Sequence, residues 1–161
     1  MILKSQIVNI INIKGVIGMK KLALLATLAV ATMSAGFAQD MEQVKKVRKA
    51  MFQVSAWEMG TLAGMAKGEI PFDAAQAEKA AKTMNSMAVS LNEVFLPGSY
   101  AGSKVTNDIN TNQDKFKQDL ANFVTESNAM IAAAATEDTL KAQMGKLGGT
   151  CKSCHDTFRA D

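Results

Sequence analysis

The sequence contains very few of the side chains that bind soft metals or carry redox chemistry. Its 161 residues include one histidine and two cysteines, and all three lie within residues 151–155. A zinc site built from Cys and His would lack its fourth ligand, because the chain has no other Cys or His to supply one. No combination of nucleophile, base and oxyanion donor is apparent either, so an enzyme is not expected.

Helix-breaking and strand-favouring residues are also scarce. There are only two prolines, and clusters of β-branched residues are rare after residue 40, where Ala, Met, Leu, Lys and Glu are abundant. These residues favour helix. The length allows one domain with one core. The composition therefore predicts a single all-α domain.

The first 39 residues contain no acidic side chain. From Met19 onward, two lysines precede an apolar run over 22–33, and Gly36-Phe37-Ala38 follows. This pattern is typical of a signal peptide, so we predict that residues 1–38 are removed and that 39–161 form the mature domain in the bacterial periplasm. The run is shorter than the ~20 residues that span a bilayer, although an uncleaved anchor is the alternative.

Residues 1–18 precede a good start at Met19, and a wrongly assigned upstream start codon at Met1 explains them more simply than a function. Removal of residues 1–38 takes away four of the 18 basic residues and leaves 14 against 15 acidic ones, a net charge of −1. The mature chain has no Lys/Arg stripe with interleaved aromatics, so no nucleic-acid partner is expected.

Apolar spacing predicts four amphipathic helices. We place them at 41–67, 74–95, 107–134 and from Thr136 to about 158, with a crossover loop over 97–106. Gly68 and Pro71 end the first helix, and Asp73 is a plausible N-cap for the second. Four such helices with short loops predict an antiparallel four-helix bundle, in which the fourth helix carries both cysteines on its buried face.

The run Cys151-Lys152-Ser153-Cys154-His155 matches C-x-x-C-H, the signature of covalent c-type haem attachment. On a helix, residues i and i+3 share a face and i+4 lies beside them. Cys151 and Cys154 are therefore predicted to attach one haem c through its two vinyl groups, and His155 to ligate the iron.

A thiol–disulfide oxidoreductase using Cys151 and Cys154 is the alternative from another class. Such a dithiol normally lies at a helix N-terminus after a strand, where the helix dipole lowers the thiol pKa. Here the motif falls late in a predicted helix with no strand before it.

The chain resembles the cytochromes c′, exported four-helix bundles that bind haem near the C-terminus. The resemblance covers residues 40–161 and rests on Arg48, Gly60, residues 67–75, the turn Phe95-Leu96-Pro97-Gly98-Ser99, and residues 148–159 around the C-x-x-C-H motif. Residues 107–110 depart from it, because Asn-Asp-Ile-Asn stands where the family usually has a Pro-Glu-Ile-Trp-like run.

The resemblance places Phe52 at the position that faces the iron opposite His155. Low-spin members of the family have a ligating methionine there, whereas cytochromes c′ have an apolar residue and a five-coordinate iron. A phenyl ring cannot ligate, so the resemblance implies a high-spin haem in electron transfer, in binding of NO or CO, or in both. Met51 is one residue away and would instead give a low-spin electron-transfer cytochrome; Ser55 offers no thioether, and Met59 lies two turns beyond Phe52.

The resemblance also implies roles for three basic residues. Arg48 would lie near a haem propionate, with Lys49 approaching the same edge, and Arg159 would lie beside the proximal face. Lys49 as an ordinary solvated lysine and Arg159 as a helix C-terminal cation are the alternatives. Family members are often dimers through their first two helices, and a redox partner protein is expected.

Overall fold

A computed structural model describes residues 40–160, and the predicted signal peptide and start codons lie outside this range. The helices are α1 Met41–Lys67, α2 Ala74–Ser90, the short α3 Asp108–Thr111, α4 Gln113–Ala133 and α5 Glu137–Phe158; a 3₁₀ turn, Leu91–Val94, follows α2. No helix in this range is long and apolar enough to cross a membrane.

Local capping explains where the long helices begin and end. Asp40, Asp73 and Thr136 each accept a hydrogen bond at the first turn of α1, α2 and α5, from the backbone N–H of Glu42, Gln76 and Thr139 respectively. Gly68 ends α1 in the left-handed conformation, with φ of 72°, and its N–H bonds to the carbonyls of Gly64 and Met65.

The four long helices form an antiparallel bundle. Helix α1 packs against α2 and α5, and α4 packs against the same two helices from the other side. The largest fully buried apolar side chains come from α1, the α2 region, α4 and α5, and they are Leu62, Met65, Met84, Leu91, Met130, Leu140 and Leu147. The bundle is therefore closed around one core that all four helices share.

The buried face of α1 is rotated relative to the apolar spacing read from the sequence. Val47 and Val54 are 39% and 38% exposed, whereas Arg48 and Ser55 are buried. Arg48 turns inward because it donates across to the loop after α2, and the Ser55 hydroxyl is satisfied by donating to the Met51 carbonyl of its own helix.

Two helix boundaries also differ from the prediction. The second helix changes to a 3₁₀ turn after Ser90. The third is interrupted at Asn112, whose φ of −122° and ψ of 46° are not helical, so that α3 and α4 are separate. Asn has a low helix propensity, which is consistent with a break at Asn112, whose side-chain amide donates to the Thr111 hydroxyl.

Candidate haem-binding site

The C-x-x-C-H motif lies in the last two turns of α5. Cys151, Cys154 and His155 are each partly buried, both thiols are free rather than joined in a disulfide, and both cysteines pack against the core. Buried Leu147, Thr150 and Phe158 flank the motif and fix which face of α5 turns inward. The structure thus confirms that the fourth helix presents both cysteines to the bundle interior.

Burial sets the protonation of these groups. It raises the pKa of the Cys151 thiol, and burial together with the negative charge of Asp119 raises the pKa of the Cys154 thiol to about 11. For His155, burial and then the positive charge of Arg159 lower the imidazole pKa. The site therefore favours neutral thiols and a neutral imidazole, and the latter is the form that ligates a metal.

The side chain opposite His155 is Phe52. The two ring centroids are 6.3 Å apart with an interplanar angle of 60°, so the phenyl ring of α1 faces the imidazole of α5 across the bundle. Phe52 also packs edge-on against Phe95 at 6.2 Å. Phe116 continues the row, 4.8 Å from Phe95 and 5.2 Å from Phe158. These rings make the surroundings of His155 apolar.

Two methionines on α1 lie near Phe52 in sequence. Met51 and Met59 are both partly buried and pack against the core. The methyl carbon of Met59 lies 4.0 Å from where a side chain at Gly148 would begin. Gly148 lies seven residues, nearly two helical turns, before His155, so Met59 contacts α5 at a position well separated from His155 along the helix axis.

Arg48 is buried, with only 4% of its surface exposed. Its Nη1 donates to the Val94 carbonyl at 2.9 Å and to Ser99 Oγ at 2.8 Å, and its Nη2 donates to the Ser99 carbonyl at 2.7 Å. The guanidinium carbon lies 5.1 Å from the centroid of the Phe95 ring. Among residues 40–160 Arg48 forms no ion pair with a carboxylate.

The other two predicted basic residues are exposed. Lys49 follows Arg48 on the outer face of α1. Arg159 does not continue α5, as its backbone is extended and forms an antiparallel bridge with Val105. Its charge is still close enough to lower the pKa of His155, so the structure brings Arg159, His155 and Phe52 to one end of the bundle.

Sequence reasoning missed one buried carboxylate beside the motif. Asp119 on α4 is 5% exposed, accepts from Lys115 Nζ at 2.6 Å, and accepts from the Ser153 hydroxyl at 2.9 Å. The sequence did indicate that Asp119 is buried, because it lies three residues after Phe116 and four before Phe123, on the apolar face of α4.

The profile of the cytochrome c′ family matches residues 42–159. The chain belongs to the cytochrome c′ family. The cytochrome c′ of Cereibacter sphaeroides is 40% identical over 135 residues, 80% of this chain and 91% of that protein. Cytochrome c-556 of Agrobacterium fabrum is 34% identical over 79% of this chain and 87% of its own length.

Solved structures of the family share the fold. A cytochrome c′ from Rhodobacter sphaeroides aligns with a TM-score of 0.71 at 37% identity, covering 76% of this chain and 98% of that one. The cytochrome c′ of Rubrivivax gelatinosus aligns with a TM-score of 0.72 at 27% identity over the same shares. Cytochromes c′ bind one covalent haem c, and this chain is accordingly a monohaem c-type cytochrome.

The residues at the end of α5 fit that cofactor. Two thiols at i and i+3 and a neutral-favouring imidazole at i+4 face the bundle interior on one helix. The apolar rings opposite supply the dry surroundings that a porphyrin needs. Together, Cys151, Cys154 and His155 supply the donors that covalent attachment and axial ligation require.

Proposed function

We propose that Cys151 and Cys154 attach the haem and that His155 is an axial ligand of its iron. The motif spacing supports this assignment, as does the partly buried position of all three side chains on the inner face of α5. When bound, the haem supplies one-electron chemistry between Fe(III) and Fe(II). The proposed activities are electron transfer, gas binding, or both, without an enzymatic reaction.

The observation that carries the proposal for the open side of the haem is the position of Phe52, 6.3 Å from the His155 ring. A phenyl ring has no lone pair for iron, and it excludes water from the space that it occupies. We therefore propose a five-coordinate, high-spin iron with a crowded apolar distal side. Such a pocket admits small uncharged diatomic molecules better than water or anions.

Similar solved structures support the ligand class. One is a ferrous variant of cytochrome c prime from Alcaligenes xylosoxidans with bound NO, and another is a carbon-monoxide-bound variant of the same protein. Both are 27–28% identical to this chain with TM-scores of 0.71. NO and CO are accordingly the proposed ligands here.

A low-spin cytochrome ligated by a methionine is the second candidate. Met51 favours it, because this thioether is partly buried and adjacent to Phe52. However, neighbouring residues on a helix differ in direction by about 100°, so Met51 and Phe52 cannot both face His155. The raised pKa of both thiols argues against a thiol–disulfide oxidoreductase, since thiol–disulfide exchange requires accessible thiolate.

Absorption spectra of the purified protein test the proposal. A pyridine haemochrome spectrum typical of haem c would confirm attachment, and its absence would refute it. The ferrous spectrum should be high-spin and should shift on addition of CO. A six-coordinate low-spin spectrum that CO leaves unchanged would instead identify a methionine ligand.

Two substitutions separate the candidates. Phe52→Met should convert the iron to a low-spin state, because it offers a thioether at the position that faces His155. Met51→Leu is the matched control: it should leave the spectrum high-spin under our proposal and would abolish a low-spin spectrum if Met51 were the ligand.

Arg48 is proposed to pair with a haem propionate. Its charge is buried, and a buried cation is stable when a carboxylate or several oxygens compensate it. The carbonyl and hydroxyl oxygens of the loop after α2 already hold the guanidinium, which also suits a carboxylate partner. Lys49 and Arg159, both exposed, are proposed to lie at the haem edge and on the proximal side.

We further propose that the protein acts in the periplasm, as cytochrome c′ relatives do, and that two copies associate through α1 and α2. The exposed apolar side chains Val47, Val54 and Trp57 on α1 and Val89 on α2 support the dimer. A redox partner protein is also expected.

A further inference from the structure

Asp119 is a buried carboxylate that the proposed haem ligation does not use. It lies on α4, is 5% exposed, and its two oxygens have different partners. Oδ2 accepts from Lys115 on the same helix at 2.6 Å, and Oδ1 accepts from the Ser153 hydroxyl on α5 at 2.9 Å. Ser153 lies between the two cysteines of the motif. The carboxylate therefore connects α4 directly to the segment that would carry the haem.

Holding this carboxylate out of water carries a desolvation cost, which its two hydrogen bonds and the attraction of Lys115 offset. Lys115 is an incomplete counter-ion, because its side chain is 46% exposed while that of Asp119 is 6% exposed. The lysine charge is thus screened by water more than the carboxylate charge, and negative charge prevails on the buried side.

The charge acts on the attachment segment itself. Asp119 Oδ1 lies 2.9 Å from the hydroxyl of Ser153, which stands between Cys151 and Cys154, so its negative potential covers the attachment segment. The same negative potential extends to any group bonded to Cys154. A negative charge in a low-dielectric surrounding favours the more positive of two redox states.

We propose that Asp119 is a positioning residue for the haem attachment segment and that its charge, opposed by Lys115, biases the iron toward Fe(III). The hydrogen bond to Ser153 holds residues 151–154 of α5 against α4. The Asp119–Lys115 pair sets the reduction potential through two opposite contributions. This inference rests on the proposed attachment through Cys151 and Cys154.

The two contributions predict shifts of opposite sign. Asp119→Asn keeps a side-chain oxygen that can accept from Ser153 but removes the negative charge, so the reduction potential should rise. Lys115→Gln leaves the carboxylate without its counter-ion, so the potential should fall. A tenfold change in the ferrous-to-ferric ratio corresponds to about 59 mV for a one-electron couple, and we expect a several-fold change for each variant.

Spectroelectrochemical titration of the haem-loaded variants measures these shifts. Lys141→Gln is the matched control, because Lys141 is also 46% exposed and pairs at i,i+4, but with Glu137, which is 44% exposed and lies at the other end of α5. This control should not change the potential. Shifts of the same sign for Asp119→Asn and Lys115→Gln, or no shift in Lys115→Gln, would overturn the inference.

Haem content distinguishes failure of this inference from failure of the attachment proposal. If the parent protein gives no haemochrome spectrum, attachment through the two cysteines is refuted; if it does, the potentials decide the role of Asp119. Should Asp119→Asn fail to fold, Lys115→Gln still decides, since its half-exposed side chain can be replaced without opening the core.

Discussion

Arg48 illustrates how one residue can join two elements of this bundle. It is a buried cation on α1, and its hydrogen bonds all reach the 3₁₀ turn and the loop that follow α2. The family resemblance identified this residue, but only the structure shows that the guanidinium also organises the turn at Ser99.

We therefore expect Arg48→Met to destabilise the protein. The substitution keeps much of the volume but leaves the carbonyls of Val94 and Ser99 without a donor, and buried unsatisfied groups cost about 1–3 kcal/mol each. A loss of about 2–4 kcal/mol in the free energy of unfolding is expected from urea denaturation. The exposed Lys46→Met should change it by less than about 0.5 kcal/mol; equal effects would contradict the assignment.

The thiols give a prediction that depends on pH. In the haem-free chain, burial raises the pKa of Cys154 to about 11 from its ordinary value of 9.0, so at pH 8 the folded protein holds about 100-fold less thiolate than a free cysteine would. Alkylation by iodoacetamide should be slow at pH 8 and should accelerate as the pH approaches 11.

The same shift affects stability. Because the folded state binds the thiol proton more tightly than the unfolded state, this contribution to stability is present below about pH 9 and is lost as the pH rises toward 11. Unfolding midpoints followed by circular dichroism should therefore fall across this window, and a rising midpoint would contradict the burial of the thiols.

At the scale of elements, the helices whose ends carry clear capping residues were predictable. The first helix was predicted at 41–67 and is observed at Met41–Lys67, because Asp40 and Gly68 cap it through local hydrogen bonds. The break at Asn112 was not predicted, since the apolar spacing continues across it from Ile109 to Phe116 and only the backbone shows the interruption.

The residues of the candidate site also differ in whether the sequence predicts them. Cys151, Cys154 and His155 were predicted as a haem site from spacing alone, because one helical face brings them together. The partnership of Asp119 with Ser153 was not, because it joins residues 34 apart in sequence on two different helices. Contacts between helices depend on how the bundle is rotated, which local patterns do not specify.

The crossover loop supplies the end of α5 with hydrogen-bond donors. Thr106 donates its N–H to the Phe158 carbonyl at 3.0 Å and its hydroxyl to the Thr157 carbonyl at 3.0 Å, satisfying two of the carbonyls that a helix C-terminus leaves unpaired. Removing the hydroxyl alone, with Thr106→Val, should destabilise the protein by about 1 kcal/mol.

Thr125→Val is the matched control for this substitution. The Thr125 hydroxyl bonds only to the Ala121 carbonyl in its own helix and is exposed, so its loss should change the unfolding free energy by less than about 0.5 kcal/mol. If thermal denaturation showed equal losses for both variants, the loop would not be stabilising the end of α5.

At the scale of the whole molecule, the outer face of α1 gives the last prediction. Trp57, the only tryptophan, is 76% exposed in the single chain. If two copies associate through α1 and α2, Trp57→Lys should shift the protein toward the monomer in sedimentation equilibrium. Tryptophan emission of the parent protein should move to longer wavelength on dilution.

Substituting Lys at Asn122, an exposed residue on α4, serves as the control. It adds the same charge on a helix outside the proposed interface and should leave the sedimentation behaviour unchanged. A parent protein that stays monomeric at all concentrations would refute the dimer.

The pairing of the crossover loop with the chain beyond α5 also has a consequence for how this part of the protein opens. The amides of Thr106 and Ala160 donate to the carbonyls of Phe158 and Lys104, respectively, so neither can exchange its proton with solvent until the loop separates from the helix end. Deuterium uptake at these two amides would therefore measure how often the C-terminal end of α5 is released, a motion that absorption spectra do not detect.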